Sequence, residues 1–562
     1  MDANDTRPGR RAVIGAALAG VSYLALEASA GERRPPESLV HGPTRPSVPS
    51  MPLPQPQPEA TPKALGQSSS LASVMAFNAA RENLLPGTPR SQVPSQWSTT
   101  PVLEGFLGQH ASTARQRIVD VYINSTLGSI RIKAYRIGHY NGAGQRLVWS
   151  SAAVRVRRQR HSTFRRATRI VSCPWRVTTS IDTTGWPEGF YYLVLTGGSG
   201  RDHMIPLVVE SASVTGKTVL VFNDCTMQAY NSWGGRNLYT GLGRSPVRRS
   251  NARSYKVSFD RPYWNFREFV TQDVPLVRAA EAIGDDDLRL AYTTEARING
   301  NPGLVRGAAA VIFAAHSEYW SPGMRRAVEG ARDKGTNVVF FGANNVYWRT
   351  RLERSSTGKD RVLVCYKKAK LDPLLRTNPG AVTTQWRQLP VSQPESTLTG
   401  SVYGDLRSKG MFTVTDPGFF AFAGTGTARG ATYPGLTAGE TDRVYPSADY
   451  PVFTYPKKLH IFAHSPESGG HTRHGWADST FYTVASGAGV LNMGTMDWLQ
   501  AQADRAVPAR SRAFARRVTQ NIIRKASLGP LGASPKSPEQ LPKRPREFTA
   551  RGASSPRGPI PV

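Results

Sequence analysis

Residues 309–331 read AAVIFAAHSEYWSPGMRRAVEGA, and a second apolar run, Asn337-Val338-Val339-Phe340-Phe341-Gly342, follows at once. The apolar residues Ala309 to Ala315 end abruptly in His316-Ser317-Glu318, the pattern of a buried strand. Serine before proline at Ser321-Pro322 marks a helix start, with the proline at the first helical position. Met324, Ala327, Val328 and Ala331 then recur at helical spacing, and Gly335 closes the segment. Strand, helix and strand make a βαβ unit, with His316 and Glu318 just past the carboxyl end of its first strand. Open α/β sheets bind ligands at that edge, so this pair is the first candidate functional feature.

At 562 residues the chain is too long for one core, and two or three domains plus unstructured segments are expected. The 42 prolines and 52 glycines point to long irregular stretches. Seventy-one basic residues against 40 acidic ones leave a net charge of +31. Such an excess favours contact with nucleic acid, wall polymers or lipid head groups and is silent on fold. Three cysteines, Cys173, Cys225 and Cys365, cannot build a disulfide framework and match no zinc spacing. At the amino terminus, Arg7–Arg11 precedes an apolar run from Ala12 to Leu26 and a small-residue site, Ala28-Ser29-Ala30. That is the layout of a secretory signal over residues 1–30, and Arg10-Arg11 suggests the twin-arginine version. The apolar run falls short of the ~20 residues that a membrane-spanning helix needs. Export is therefore expected, to the periplasm, the cell wall or the medium.

Residues 31–96 are rich in proline and serine and read as a disordered spacer, partly polyproline II. From 97 to 211 the texture is alternation. Ile118–Ile123, Ile130–Ile137, Trp175–Thr178, Gly189–Leu195 and Ile205–Val209 read as short strands of an all-β, immunoglobulin-like sandwich. Inside it, Arg155–Arg169 holds seven arginines and no acid. This is either a patch for an anionic polymer or a solvated hairpin; Phe164 is its one aromatic, so the stacking residues of a single-strand binder are missing. From 212 to 528 the pattern is α/β. It begins with a buried strand, Lys217–Phe222, that runs into Asn223–Tyr239. Expected next are a helix around Phe266–Ile283, strands at Leu288–Tyr292 and Ala309–Ala315, and mixed β-like texture over Leu352–Tyr450. Helix, strand and turn are expected from Ala477 to Trp498, then a closing helix near Arg510–Lys525. Residues 529–562 form a basic, Pro- and Ser-rich tail expected to be disordered.

Covalent catalysis finds little material. The turn Phe341–Asn345 offers asparagine and no nucleophile, and Cys225 follows a strand without a histidine near it in sequence. Metal chemistry has more. His316 and Glu318, two residues apart at a strand end, can face one cavity, although such a pair also serves as a cap or a hydrogen-bonding pair. Tyr230 and Tyr239 flank the Gly234-Gly235 turn after another strand end. A phenol with a pKa near ~10 becomes a ligand only when a strong Lewis acid displaces its proton, which favours ferric iron over magnesium or calcium. Packing is the competing role for such a loop. His464, His471 and His474 form a second group with metal-ligating side chains, in a glycine-rich loop, while Asp285-Asp286-Asp287 reads as a solvated turn.

Several motifs carry a resemblance. His316-Ser-Glu-Tyr-Trp-Ser-Pro-Gly-Met-Arg and Phe341-Gly-Ala-Asn-Asn-Val-Tyr-Trp-Arg-Thr-Arg-Leu-Glu353 are similar to the large (β) subunit of N,N-dimethylformamidase and its relatives. So are Leu103-Glu-Gly, Tyr135-Arg-Ile-Gly-His-Tyr-Asn-Gly, Trp186-Pro-Glu-Gly-Phe-Tyr, Ala477-Asp-Ser-Thr-Phe-Tyr and Gly494-Thr-Met-Asp-Trp498. The resemblance spans most of residues 98–525. It implies a multi-domain chain, a β-sandwich followed by an α/β domain resembling class I glutamine amidotransferases without their cysteine. It also implies a mononuclear iron, held in the ferric state by two tyrosines and a glutamate, with a histidine beside it. Matched by motif, Glu318 is the carboxylate ligand, His316 the neighbouring histidine and Tyr230 the first tyrosine. Tyr239 is the second, with Tyr255 as the alternative because the loop between them departs from the family pattern. Catalysis falls to His316 and Glu318, and metal ligation to Tyr230, Tyr239 and Glu318.

Two functions follow. The first is an exported, iron-dependent hydrolase of amide C–N bonds, acting on a small amide, oligomeric, and working with a small subunit encoded separately. The second is a non-catalytic protein that binds anionic cell-envelope polymers on an inactivated enzyme scaffold, for which the +31 charge and the arginine run speak. Specific nucleic-acid binding is not expected.

Overall fold

Strands of Val, Ile, Leu and Phe that bury both faces need covered faces on each side, and the apolar runs above find that in one nine-stranded sheet. The computed structural model describes residues 77–89, 102–197, 202–242, 248–445, 453–470 and 472–533. The expected secretory signal and His471 lie outside the described residues, as does the tail beyond 533.

In chain order the strands of the large sheet are β1 Thr218–Phe222, β2 Leu290–Thr294, β3 Ala310–Phe313, β4 Asn337–Phe340, β5 Val402–Thr413, β6 Thr432–Arg443, β7 His460–Ser468, β8 Gly475–Thr483 and β9 Gly489–Asn492. In space they lie β2-β1-β3-β4-β9-β8-β7-β5-β6. The β2-β1-β3-β4-β9 half is parallel. From β9 onward every pairing is antiparallel. The helices that matter below are α1 Asp224–Tyr230, α2 Glu295–Gly300, α3 Pro322–Arg332 and α4 Ala509–Ser527.

The opening unit is present as β3, α3 and β4. Ser321 caps α3, its Oγ accepting from the Met324 N–H at 3.1 Å. Alternation along β1 divides its side chains between two cores. Val219 and Val221 share one with Met324 and Val328 of α3, whereas Leu220 and Phe222 share the other with Phe514, Val518 and Ile522 of α4. Both faces of the parallel half are thereby covered, which is why its strands are continuous apolar runs.

Ahead of this sheet, a three-stranded and a five-stranded antiparallel sheet face one another. Val119, Val121 and Ile123 of the first meet Ile132, Leu193 and Ile205 of the second. Three expectations need correction. Trp175–Thr178 is not a strand: Trp175 is a buried anchor beside Phe106, with ring centroids 5.4 Å apart, and its indole N–H donates to Arg160 O at 2.9 Å. Ala477–Tyr482 is not a helix but the interior of β8, paired on both edges. Residues 77–89 are not spacer. Asn78 caps a short helix, Ala79–Glu82; Glu82 pairs with Arg146 at 2.6 Å, and Asn83 Nδ2 donates to buried Glu281 at 2.7 Å. Those polar partners hold the strap together with Ala79 in the core and Phe77 against Tyr292, too few apolar residues to show as a periodicity. Among the described residues no helix is long and apolar enough to cross a membrane.

Candidate metal centre

Past the end of β3 the chain runs through His316-Ser317-Glu318 into Tyr319–Trp320, and the side chains of His316 and Glu318, two residues apart, meet at 3.5 Å. Two features fix this path. Ala315 passes so close to the next strand end that a Cβ on Gly342 would lie 1.6 Å from Ala315 O. The stretch Tyr319–Trp320 pairs in parallel with Trp348–Arg349, and the Val346 N–H reaches Ser317 O at 2.8 Å. Val346 is β-branched yet has a φ of 56°, a conformation that costs on the order of 1–3 kcal/mol and is imposed by these surroundings.

The second half of the site follows β1. Tyr230 is the last residue of α1, and the loop after it returns Tyr239 to its side. The loop is shaped by Arg261, a fully buried guanidinium that donates to Asn231 O (3.0 Å), Trp233 O (3.1 Å), Arg236 O (3.0 Å) and Gln228 Oε1 (3.1 Å). Burial among neutral acceptors lowers its pKa to about 10. Leu238 N–H closes the loop onto Ala229 O at 3.0 Å.

The two halves meet at Glu318, which is 1% exposed. Tyr239 Oη donates to Glu318 Oε1 at 2.6 Å and Tyr230 Oη to Glu318 Oε2 at 2.9 Å, while the two phenols stand 2.9 Å apart with stacked rings. His316 Nε2 lies 3.5 Å from Glu318 Oε2 and 3.2 Å from Glu440 Oε2, and Asn344 Nδ2 donates to that same Glu440 oxygen at 2.6 Å. The structure thus brings Tyr230, Tyr239, Glu318 and His316 together. Tyr255 is elsewhere, stacked on Tyr366 beneath Arg169 and Arg253.

Burial, followed by the Glu318 charge, pushes both phenols well above their ordinary pKa. Burial also raises Glu318, against the pull of His316. For His316, burial alone would lower the pKa; Glu440 and then Glu318 outweigh it and raise it to about 9. Lys367, beside the cluster, has its Nζ 3.0 Å from the centroid of the Tyr239 ring and 4.4 Å from that of Trp348. Burial lowers this ammonium to about 7.

This donor set suits a hard, strongly Lewis-acidic cation. The two phenol oxygens lie within hydrogen-bonding distance of each other and each of one Glu318 oxygen, and both phenols carry protons that only such a cation removes. The residues fit a ferric ion on this ground. Sequence reasoning missed Glu440, Lys367 and Arg261, and passed over Asn344 as no nucleophile. Glu440 and Lys367 stand in β-textured stretches where nothing in the local pattern separates a site residue from a surface one.

The other candidates are placed differently. Among the described residues, Asp224, Cys225 and Glu295 offer ligand atoms within 4.8 Å of one another. Their carboxylates are engaged otherwise. Glu295 Oε2 accepts the N–H groups of Cys225 (3.1 Å) and Thr226 (3.4 Å), and Asp224 Oδ1 accepts that of Ala296 (3.0 Å). Each acid serves the start of a helix. His464 Nδ1 is 2.6 Å from Asp478 Oδ1, and His474 is exposed. All three cysteines are buried, with thiol pKa values raised by burial, which leaves no thiolate nucleophile.

No curated protein matches the chain. A family model described as N,N-dimethylformamidase beta subunit-like, C-terminal, matches residues 131–507, the span that carries Tyr230, Tyr239, His316, Glu318 and Glu440, and the chain belongs to that family.

Proposed function

We propose that the protein is an iron-dependent hydrolase of amide C–N bonds, with Tyr230, Tyr239 and Glu318 as metal ligands. The observation that carries this reading is the convergence of two phenols on one buried carboxylate at 2.6 and 2.9 Å. Family membership supports amide hydrolysis in general. When bound, ferric iron supplies Lewis-acid polarisation of a carbonyl and lowers the pKa of water.

The chain's own residues supply proton handling. Asn344 holds Glu440 Oε2 toward His316, so Glu440 is placed to take a proton from an attacking water. His316, its pKa raised to about 9, holds a proton at Nε2 near neutral pH and can give it to the departing nitrogen. Lys367 stands over the Tyr239 ring, where its protonated form, held below about pH 7, favours the phenolate. On the same reading the large-sheet half is a glutamine-amidotransferase-like domain without its nucleophile and the first half an immunoglobulin-like sandwich. The chain is exported through its amino-terminal signal and assembles with a separately encoded small subunit, as the family's "beta subunit" name suggests.

Elemental analysis of the purified protein together with its visible spectrum tests this. Expected are about one iron per chain and a tyrosinate-to-iron charge-transfer band that Tyr230→Phe and Glu318→Ala each abolish. A colourless, iron-free protein whose variants behave like the parent would sink the proposal.

A further inference from the structure

The arginine run and the tyrosine loop, separate in sequence, share one surface. Val154–Arg155 pairs at the edge of the five-stranded sheet, and beyond it Val156 is buried while Arg155 and Arg157 point outward. Residues two apart on an extended chain stand ~6.6 Å from each other on one face. The hairpin of Thr163–Arg165 and Ile170–Ser172 then lies against the loop. Gly234, at φ 71°, faces Val171 so closely that a Cβ would come within 2.7 Å of its Cγ1. The Arg236 guanidinium covers the Phe164 ring at 4.7 Å, and Arg169 Nη1 donates to Asn251 O at 2.6 Å. Through these contacts the hairpin adjoins the loop that carries Arg236 and exposed Arg249.

The exposed arginines of the run carry charge without a direct partner. Arg155, Arg157, Arg158, Arg160, Arg165 and Arg166 are exposed, and among the described residues none of their side chains makes an ion pair or hydrogen bond. No Asp or Glu occurs from 155 to 169 or from 225 to 259. Burial and then the nearby Arg169 charge lower Arg236.

We propose that this face docks a flexible phosphate polymer, a chain of phosphate or phosphodiester groups held by charge-assisted contacts to its phosphate oxygens, without any reading of bases. Guanidinium forks match phosphate oxygens two at a time. The Arg236 guanidinium covers one face of Phe164, the one aromatic of the hairpin, so the row of platforms on which successive bases would stack is missing. A folded acidic protein would need a central group of apolar anchors, and Phe164 is the one large apolar side chain exposed in the hairpin. The surface is independent of the metal centre, and this reading stands or falls apart from the hydrolase proposal.

Fluorescence anisotropy of the full chain with labelled linear inorganic polyphosphate over a salt series tests it. The expected result is tight binding with a steep linear fall of log affinity against log salt. The variant Arg157→Ser/Arg158→Ser/Arg165→Ser/Arg166→Ser should lose more than about tenfold in affinity and show a shallower slope. Removing equal charge elsewhere, with Arg326→Ser/Arg429→Ser/Arg505→Ser/Arg517→Ser, should cost no more than about threefold. Equal losses in the two variants would show a net-charge effect and overturn the site. A second measurement uses the unaltered chain, to which abasic and base-bearing single-stranded DNA should bind alike. Tighter binding of base-bearing DNA, or of poly-glutamate over polyphosphate, refutes a surface that reads phosphate charge.

Discussion

Glu295 and Glu318 are both buried acids at the carboxyl ends of strands that flank β1, yet they have opposite surroundings. Glu295 accepts two backbone N–H groups, and Ser317 Oγ donates to its other oxygen at 2.5 Å. Glu318 accepts two phenols. A cation cannot take the place of an amide proton, but it can take that of a phenol proton. Nearness of ligand atoms therefore marks the Asp224–Cys225–Glu295 group as readily as the Glu318 cluster, and only the kind of donor separates a helix-start carboxylate from a ligand carboxylate.

The sharpest way to break this contrast is to remove each acid in turn. Glu295→Ala leaves two N–H groups of α1 unsatisfied and should cost about 3 kcal/mol in urea unfolding of the metal-free protein. Glu318→Gln keeps an acceptor for the phenols and should stay within about 1 kcal/mol of the parent in the same measurement, while losing iron. Equal costs would erase the distinction.

A pH series sharpens it next. The His316 pKa is raised from 6.5 to about 9, so its contribution to stability is full below pH 6.5 and lost as pH rises through 9. Lys367 is lowered to about 7 and opposes this trend over an overlapping range, so the comparison must be between the parent and His316→Gln. The stability difference between those two metal-free proteins should shrink by about 3 kcal/mol at most from pH 6 to pH 10. A pH-independent difference would remove the carboxylate field from the site. The smallest effect belongs to Tyr255→Phe: with its ring on Tyr366, the variant should leave iron content and the visible band unchanged.

How far the sequence carries depends on where the information lies. The βαβ corner was legible because a continuous apolar run, a Ser-Pro start and helical spacing are local signals, and β3, α3 and β4 occur where those signals place them. Tyr230 and Tyr239 were legible as a pair from the Gly234-Gly235 turn between them, but the choice of Tyr239 over Tyr255 was not, since the return of the loop depends on Arg261, a residue from another segment. Glu440 reaches His316 from β6, across the antiparallel half of the sheet, and nothing near it in sequence records that approach. Ala477–Tyr482 misled for the same reason: its strand state comes from two partners distant in sequence.

Arg236 faces two ways. Its carbonyl turns inward to Arg261, while its side chain turns outward, covering Phe164 and donating to Ala252 O and Leu242 O. Main chain and side chain thus answer to different regions, one to the path of the tyrosine loop and the other to the basic face. Any residue at 236 presents the inward oxygen. The outer electrostatics of the loop can therefore be rewritten while the phenols keep their address, so the two surfaces are separable by design.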